Sequence, residues 1–203
     1  MQQHYDRTLD GFRVCKIEVG SRENNIYVLS EVESGEAYVL DAGYEPEHVA
    51  AAAQGLHVRS ILITHGHRDH HESVGDLKAR LGVPVAIGID DAAMLSIDPD
   101  SLIVDQQTFN FGSLALHAIH TPGHTPGSTC FIIGKHLFTG DTLFPGGPGN
   151  TGRDPIRFER IIASIRERLF ALPDDTIVYP GHGRDTTIGA ERPHLDEWIA
   201  RGW

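Results

Sequence analysis

Seven consecutive residues, Thr64-His65-Gly66-His67-Arg68-Asp69-His70, constrain this chain more than any other segment. Three imidazoles and a carboxylate fall directly after the apolar run Ser60-Ile61-Leu62-Ile63. Packing alone does not call for such a cluster, because a buried carboxylate needs a partner or a metal. The residue types and spacing suit a site for two hard or borderline metal ions.

Any fold for this chain must hold that cluster at a strand end. Short β-rich runs are expected at 12–19, 25–30, 36–41 and 58–64, the last delivering the cluster. Helices are expected at 46–55 and at 69–81, the latter with Val74, Leu77 and Leu81 on one face and Gly82 as its stop. A strand follows at 84–89. The second half repeats the theme, with strands at 114–120, 128–133, 136–139 and 176–179 and helices at 157–172 and 192–201. This alternation predicts an α/β protein, two sheets sandwiched between helices, in one domain spanning 1–203.

Four segments share one grammar, an apolar strand, then Gly or Pro, then His or Asp. They end at His65, His124, Asp141 and His182. Functional groups in layered α/β folds gather where strands end. If Gly134-Lys135 is a tight turn, His124 and Asp141 emerge on one rim of the sheet. Gly123, Gly140 and Gly181 are expected to bend the chain and aim the next side chain at a shared centre. The ligand count then fits two sites. His65, His67, His124 and Asp141 fill one, and Asp69, His70 and His182, with Asp141 shared, fill the other. His71 is expected to face a helix or support a ligand. His120 either orients His124 or is a satisfied structural residue.

A formal net charge of −11 argues against a nucleic-acid partner, since that affinity is built from Lys and Arg contacts. No apolar run approaches a membrane span, and the polar start lacks a signal-peptide core, so a cytoplasmic location is expected. Cys15 and Cys130 sit in apolar runs and read as small buried hydrophobes.

At His65-x-His67-x-Asp69-His70, Thr121-Pro122-Gly123-His124-Thr125-Pro126-Gly127-Ser128, Thr139-Gly140-Asp141-Thr142-Leu143-Phe144 and Pro180-Gly181-His182-Gly183, the chain resembles the metallo-β-lactamase superfamily. It is most similar to the glyoxalase II-like (hydroxyacylglutathione hydrolase-like) thioesterase branch. The resemblance implies an αββα sandwich with the metals at one edge of the two sheets, and a ligand set that matches the two sites above. It implies two divalent ions, zinc first, with iron or manganese as alternatives, and a small-molecule thioester or related ester as substrate. A metal-bound hydroxide would cleave it, with Asp69 as the catalytic carboxylate. In the glycine-rich loop after Asp141, Asn150 and Arg153 are candidates for holding a polar or acidic part of the substrate. Three departures accompany the resemblance. The chain ends 21 residues after His182, so no full C-terminal helical substrate domain is expected. His71-Glu72-Ser73 replaces the usual early glycine, and the segment 144–150 forms its own pocket wall. Rival readings are a mononuclear iron persulfide dioxygenase-like enzyme using His65, His124 and Asp141, a lactonase or phosphodiesterase on the same centre, and a non-catalytic metal-binding protein. The oligomeric state is open.

Overall fold

Alternation with period two, buried on both faces, sets the architecture. In β2 (Phe12–Val19), following the edge strand β1 (Tyr5–Leu9), Phe12 and Val14 face one way and Cys15, Ile17 and Val19 the other, all buried. A strand apolar on both sides needs cover on both. The computed structural model describes residues 5–9 and 11–202, so the ends of the expected 1–203 unit lie outside the described residues.

The first sheet continues with β3 (Asn24–Glu31), β4 (Glu36–Leu40), β5 (His57–Ile63), β6 (Val85–Gly88) and β7 (Ser101–Ile103), in simple sequence order. Its first four strands are antiparallel and β4 to β7 are parallel, joined in part through α1 (Pro46–Ala52) and α2 (Val74–Leu81). The second sheet holds β8 (Thr108–Phe111), β9 (Leu114–His120), β10 (Thr129–Ile133) and β11 (His136–Gly140). A small hairpin, β12 (Leu143–Phe144) and β13 (Gly147–Pro148), precedes α3 (Pro155–Ser164), and β14 (Ile177–Pro180) and β15 (Thr186–Thr187) complete the sheet in the order β15-β14-β11-β10-β9-β8. The chain closes with α4 (Ile188–Glu191) and α5 (Leu195–Arg201).

Three apolar layers define the expected αββα sandwich. Phe12, Leu29, Leu62, Phe131, Phe138 and Tyr179 fill the space between the sheets. Val49, Val74 and Leu77 bring α1 and α2 onto the outer face of the first sheet. Ile161, Ile165, Leu169 and Trp198 cover the second. Phe138 stacks on Tyr179 at 4.8 Å and meets Tyr27 edge-on at 5.1 Å, so truncating it to Ala would cost ~3–5 kcal/mol. The parallel pairs β4–β5–β6 and β11–β14 send their carboxyl ends to one edge, which is where the metal-type residues lie.

Several expected boundaries move. The helix expected at 69–81 is a single 3₁₀ turn, Arg68–His70, followed by a break, with α2 starting at Val74. The His70 carbonyl accepts from Ala42 N (2.8 Å) instead of continuing a helix, which turns the Asp69 and His70 side chains toward the sheet edge. The helix expected at 157–172 starts earlier, at Pro155, because Asp154 caps it by accepting from Ile156 N and Arg157 N. It then widens into a π turn at Ile165–Leu169. The final helix opens as a 3₁₀ turn, Arg192–His194. The Gly134-Lys135 turn pairs Ile133 with His136, as the hairpin reading requires.

Candidate metal centre

The structure brings all seven proposed ligands to the common edge in three overlapping groups. They are His65, His67 and His124; His65, His70 and Asp141; and Asp69, His70 and His182. Within each group one ligand atom per residue lies within 4.8 Å of the others. Nδ1 of His67 is 2.8 Å from Nε2 of His124, and Nε2 of His70 is 3.1 Å from Nε2 of His182. Asp141 lies between them, with Oδ1 3.3 Å from His70 Nε2 and Oδ2 3.4 Å from His124 and 3.5 Å from His182. Asp69 Oδ2 is 3.7 Å from His182.

The outward nitrogens explain why the inward ones are available. Nδ1 of His65 donates to Thr64 Oγ1 (3.1 Å), Nδ1 of His70 to Asp41 Oδ2 (2.8 Å), Nδ1 of His124 to the Asn150 carbonyl (2.8 Å) and Nδ1 of His182 to the Arg22 carbonyl (2.9 Å). The tautomers follow from these acceptors. Each turns its Nε2 toward the centre, the arrangement in which histidine ligands are held. Asp41 is itself fixed by Thr64 N and Thr64 Oγ1 at 2.7 and 2.9 Å.

The donor set fits divalent cations. Buried polar atoms are normally paired. Here, among the described residues, His65 Nε2 and Asp141 Oδ1 are buried with no hydrogen-bond partner, and both face the cluster. Convergent lone pairs at such distances repel unless a proton or cation lies among them. Burial drives the pKa of His65 well down, lowers that of His67 and brings His124 to about 4, so all three are neutral at pH 7, as ligation requires. Burial also opposes charge on Asp141, but His70 and His182 outweigh it and hold the carboxyl well below its usual range. His70 moves the other way: burial is overcome by Asp141 and Asp41, which raise its pKa well above normal. The same carboxylates would hold a cation in the place of that proton.

Of the three glycines expected to bend the chain, Gly123 (φ +142°) and Gly140 (φ +47°) do so. Gly181 has another reason, since a Cβ there would lie 2.4 Å from Asp141 Oδ1. Asn150 lines the pocket over the cluster, an opening of about 740 Å³ that Arg22, Phe144 and Arg157 also border. Arg153 is not in that lining and borders the neighbouring groove instead. His120 Nε2 donates to the Pro126 carbonyl at 2.8 Å instead of orienting His124, whose Nδ1 donates to the Asn150 carbonyl. His71 is buried and lies 3.2 Å from the Gly66 carbonyl, supporting the ligand loop. Sequence reasoning missed Arg157, whose guanidinium donates to the carbonyls of Gly123 and His124. It also missed Asn24, whose Nδ2 lies 3.3 Å from Asp69 Oδ2.

A family model described as the metallo-beta-lactamase superfamily matches residues 19–182. The chain belongs to that superfamily. Its members are hydrolases that bind divalent metals and act on small molecules, and this chain carries His/Asp groups that could hold a metal ion. The hydroxyacylglutathione hydrolase GloC of Haemophilus influenzae is 32% identical over 198 residues, covering 87% of this chain and 93% of that protein. Among solved structures, TTHA1623 in a di-iron-bound form is 33% identical with TM-score 0.72, covering 87% of this chain and 96% of its own. ETHE1 from Myxococcus xanthus is 25% identical with TM-score 0.79, covering 93% and 89%. Among the described residues no helix is long and apolar enough to cross a membrane.

Proposed function

We propose that this superfamily member hydrolyses a thioester at a pair of divalent ions. His65, His67 and His124 would hold one and Asp69, His70 and His182 the other, with Asp141 shared. One observation carries the reading. The Asp141 carboxylate reaches both histidine groups, 3.4 Å to His124 and 3.5 Å to His182. Zinc is the first choice for imidazole and carboxylate donors, and the di-iron form of TTHA1623 makes iron the alternative. Bound there, divalent ions would supply Lewis-acid polarisation of a carbonyl and lower the pKa of a coordinated water to about 7.

The chain's own residues do the rest. Burial opposes charge on Asp69, but His70, the Asn24 amide and His182 lower its pKa, so it is a carboxylate at neutral pH. It faces the open pocket, where it would orient a water by accepting a hydrogen bond from it. The Oδ1 of Asn150 accepts from Gly152 N (2.8 Å), which leaves its Nδ2 to donate to substrate. Arg22 and Arg157 stand at the pocket for an anionic or polar part of the substrate. A thiolate leaves readily because a thiol has a pKa of about 8.5, so no strong acid is needed at the sulfur. The name of GloC, a hydrolase of hydroxyacylglutathione, supports a thioester over an amide. The Cys130 thiol is free and buried, which suits a cytoplasmic setting.

The test is metal content by mass spectrometry together with thiol release from acyl thioesters, before and after chelation. Two divalent ions per chain, loss of turnover on chelation and recovery with zinc are expected. Full turnover by metal-free protein would overturn the reading. One iron per chain with oxygen uptake on a persulfide, or faster cleavage of a lactone or aryl phosphodiester, would replace the thioesterase by that activity.

A further inference from the structure

Beyond the end of β6, the 3₁₀ turn Ile89–Met94 carries Asp91, a carboxylate with 0% exposure that none of the chemistry above uses. Its Oδ2 accepts from Gly66 N (2.8 Å) and Thr125 Oγ1 (2.5 Å), and its Oδ1 accepts from Gly127 N (2.7 Å). Gly66 stands between His65 and His67, and Thr125 follows His124. One side chain therefore straps together the two segments that supply the first histidine group. Among the described residues its bonds reach neither Asp69, His70 nor His182.

The fit leaves no room for slack. A Cβ at Gly127 would lie 2.6 Å from Asp91 N, and one at Gly66 would lie 2.6 Å from Met94 Cβ. Across the strapped segments His67 Nδ1 and His124 Nε2 approach to 2.8 Å, the spacing the strap fixes. Without a tie, the two loops would relax apart and a cation would have to draw them together again. A site held in its bound geometry binds more tightly because that cost is met in folding.

We propose that Asp91 is a positioning residue for the first metal position. Its carboxylate fixes the spacing of the His65–His67 loop against the His124 turn, and so raises the affinity of that group for a divalent ion. The Asp69, His70 and His182 group is unaffected. The inference rests on the dinuclear reading above.

Asp91→Asn keeps the shape but turns one acceptor into a donor facing an N–H or hydroxyl. It is made in two backgrounds, His182→Ala, which keeps the first group intact, and His67→Ala, which keeps the second. Zinc affinity is read by competition with a chromophoric chelator. Asp91→Asn is expected to weaken zinc about 10–100-fold in the His182→Ala background, and by less than about 2-fold in the His67→Ala background. Equal affinity with and without the substitution, or an equal loss in both backgrounds, overturns the strap alone. A parent protein that binds no zinc overturns the metal reading and the strap with it. If circular dichroism shows that Asp91→Asn does not fold, Thr125→Val removes a single bond of the strap. It is expected to weaken zinc about 5-fold in the His182→Ala background only, and no change there overturns the proposal.

Discussion

Both ends of the sandwich gather charged side chains where strands stop, and they satisfy them differently. At the end opposite the histidines, Glu31 accepts from Ser34 Oγ (2.5 Å) and from the amide (2.6 Å) and hydroxyl of Ser113. Glu36 accepts from Gly112 N (2.7 Å) and from Arg59. These carboxylates tie the first sheet to the β8–β9 turn of the second, and every oxygen has a donor. At the histidine end, carboxylates and imidazoles are as close, yet among the described residues His65 Nε2 and Asp141 Oδ1 have no hydrogen-bond partner. The difference separates structure from function. A closed polar cluster is complete within the chain, whereas convergent, unpaired lone pairs require something the chain does not contain.

The most severe way to break that contrast is to remove the shared carboxylate. Asp141→Ala is expected to lower thioester kcat/KM by about 10³-fold or more, ~4 kcal/mol of transition-state stabilisation, with metal content falling below two per chain. Turnover within tenfold of the parent would mean that Asp141 joins nothing. Next comes a residue that completes the outer half of the open end. Asp41→Asn keeps size but loses the acceptor that holds His70 Nδ1 at 2.8 Å. A drop of about 10–100-fold in metal affinity is expected, measured by chelator competition.

Asp41 also shows what the sequence carried. The motif residues were legible because His and Asp stood at strand ends beside Gly or Pro, and the hairpin turn placed His124 and Asp141 on one rim. Asp41 also stands at a strand end, following Tyr38-Val39-Leu40, but Ala42 separates it from Gly43, so it falls just outside that pattern. Asp91 and Arg157 carry no such signal. Asp91 reaches Gly66, 25 residues away in sequence, and Thr125, 34 away, and neither separation leaves a local pattern. The edge strand β1, Tyr-Asp-Arg-Thr-Leu, was missed for another reason. It pairs along β2 with little burial of its own, so it has no apolar period to read. The break after His70 was hidden because Val74, Leu77 and Leu81 keep helical spacing whether the helix begins at 69 or 74.

Between the two ends lies Lys16, wholly buried in the space between the sheets. Its Nζ donates to the Gly183 carbonyl (2.6 Å) and pairs with Asp185 at 2.8 Å, just beyond His182. Lys16→Met leaves Asp185 with the Tyr5 hydroxyl (2.7 Å). A loss of about 3 kcal/mol in urea unfolding is expected, with a smaller fall in turnover than Asp41→Asn produces. Unchanged stability would show that this loop is held by Asn25 and Tyr27 alone, which also donate to its carbonyls.

The mildest substitution tests whether the closed end is independent of the open one. The hydroxyl of Ser113, then that of Ser34, then the Ser113 amide hold the Glu31 carboxyl down to about 2. An unfolded glutamate titrates near ~4.3. Between these values the unfolded chain binds more protons, so stability falls as pH drops from ~4.5 toward 2 and is fully present above that window. Glu31→Gln cannot titrate. Its melting temperature should lie below that of the parent at pH 7, and the two curves should converge as the pH approaches 2. Metal content and turnover at pH 7 should match the parent, because the Glu31 carboxylate accepts from Ser34 and Ser113, at the end opposite the histidines. Parallel curves would show that no charge is stabilised there. A loss of metal in this variant would show that the two ends are coupled through the strands that join them.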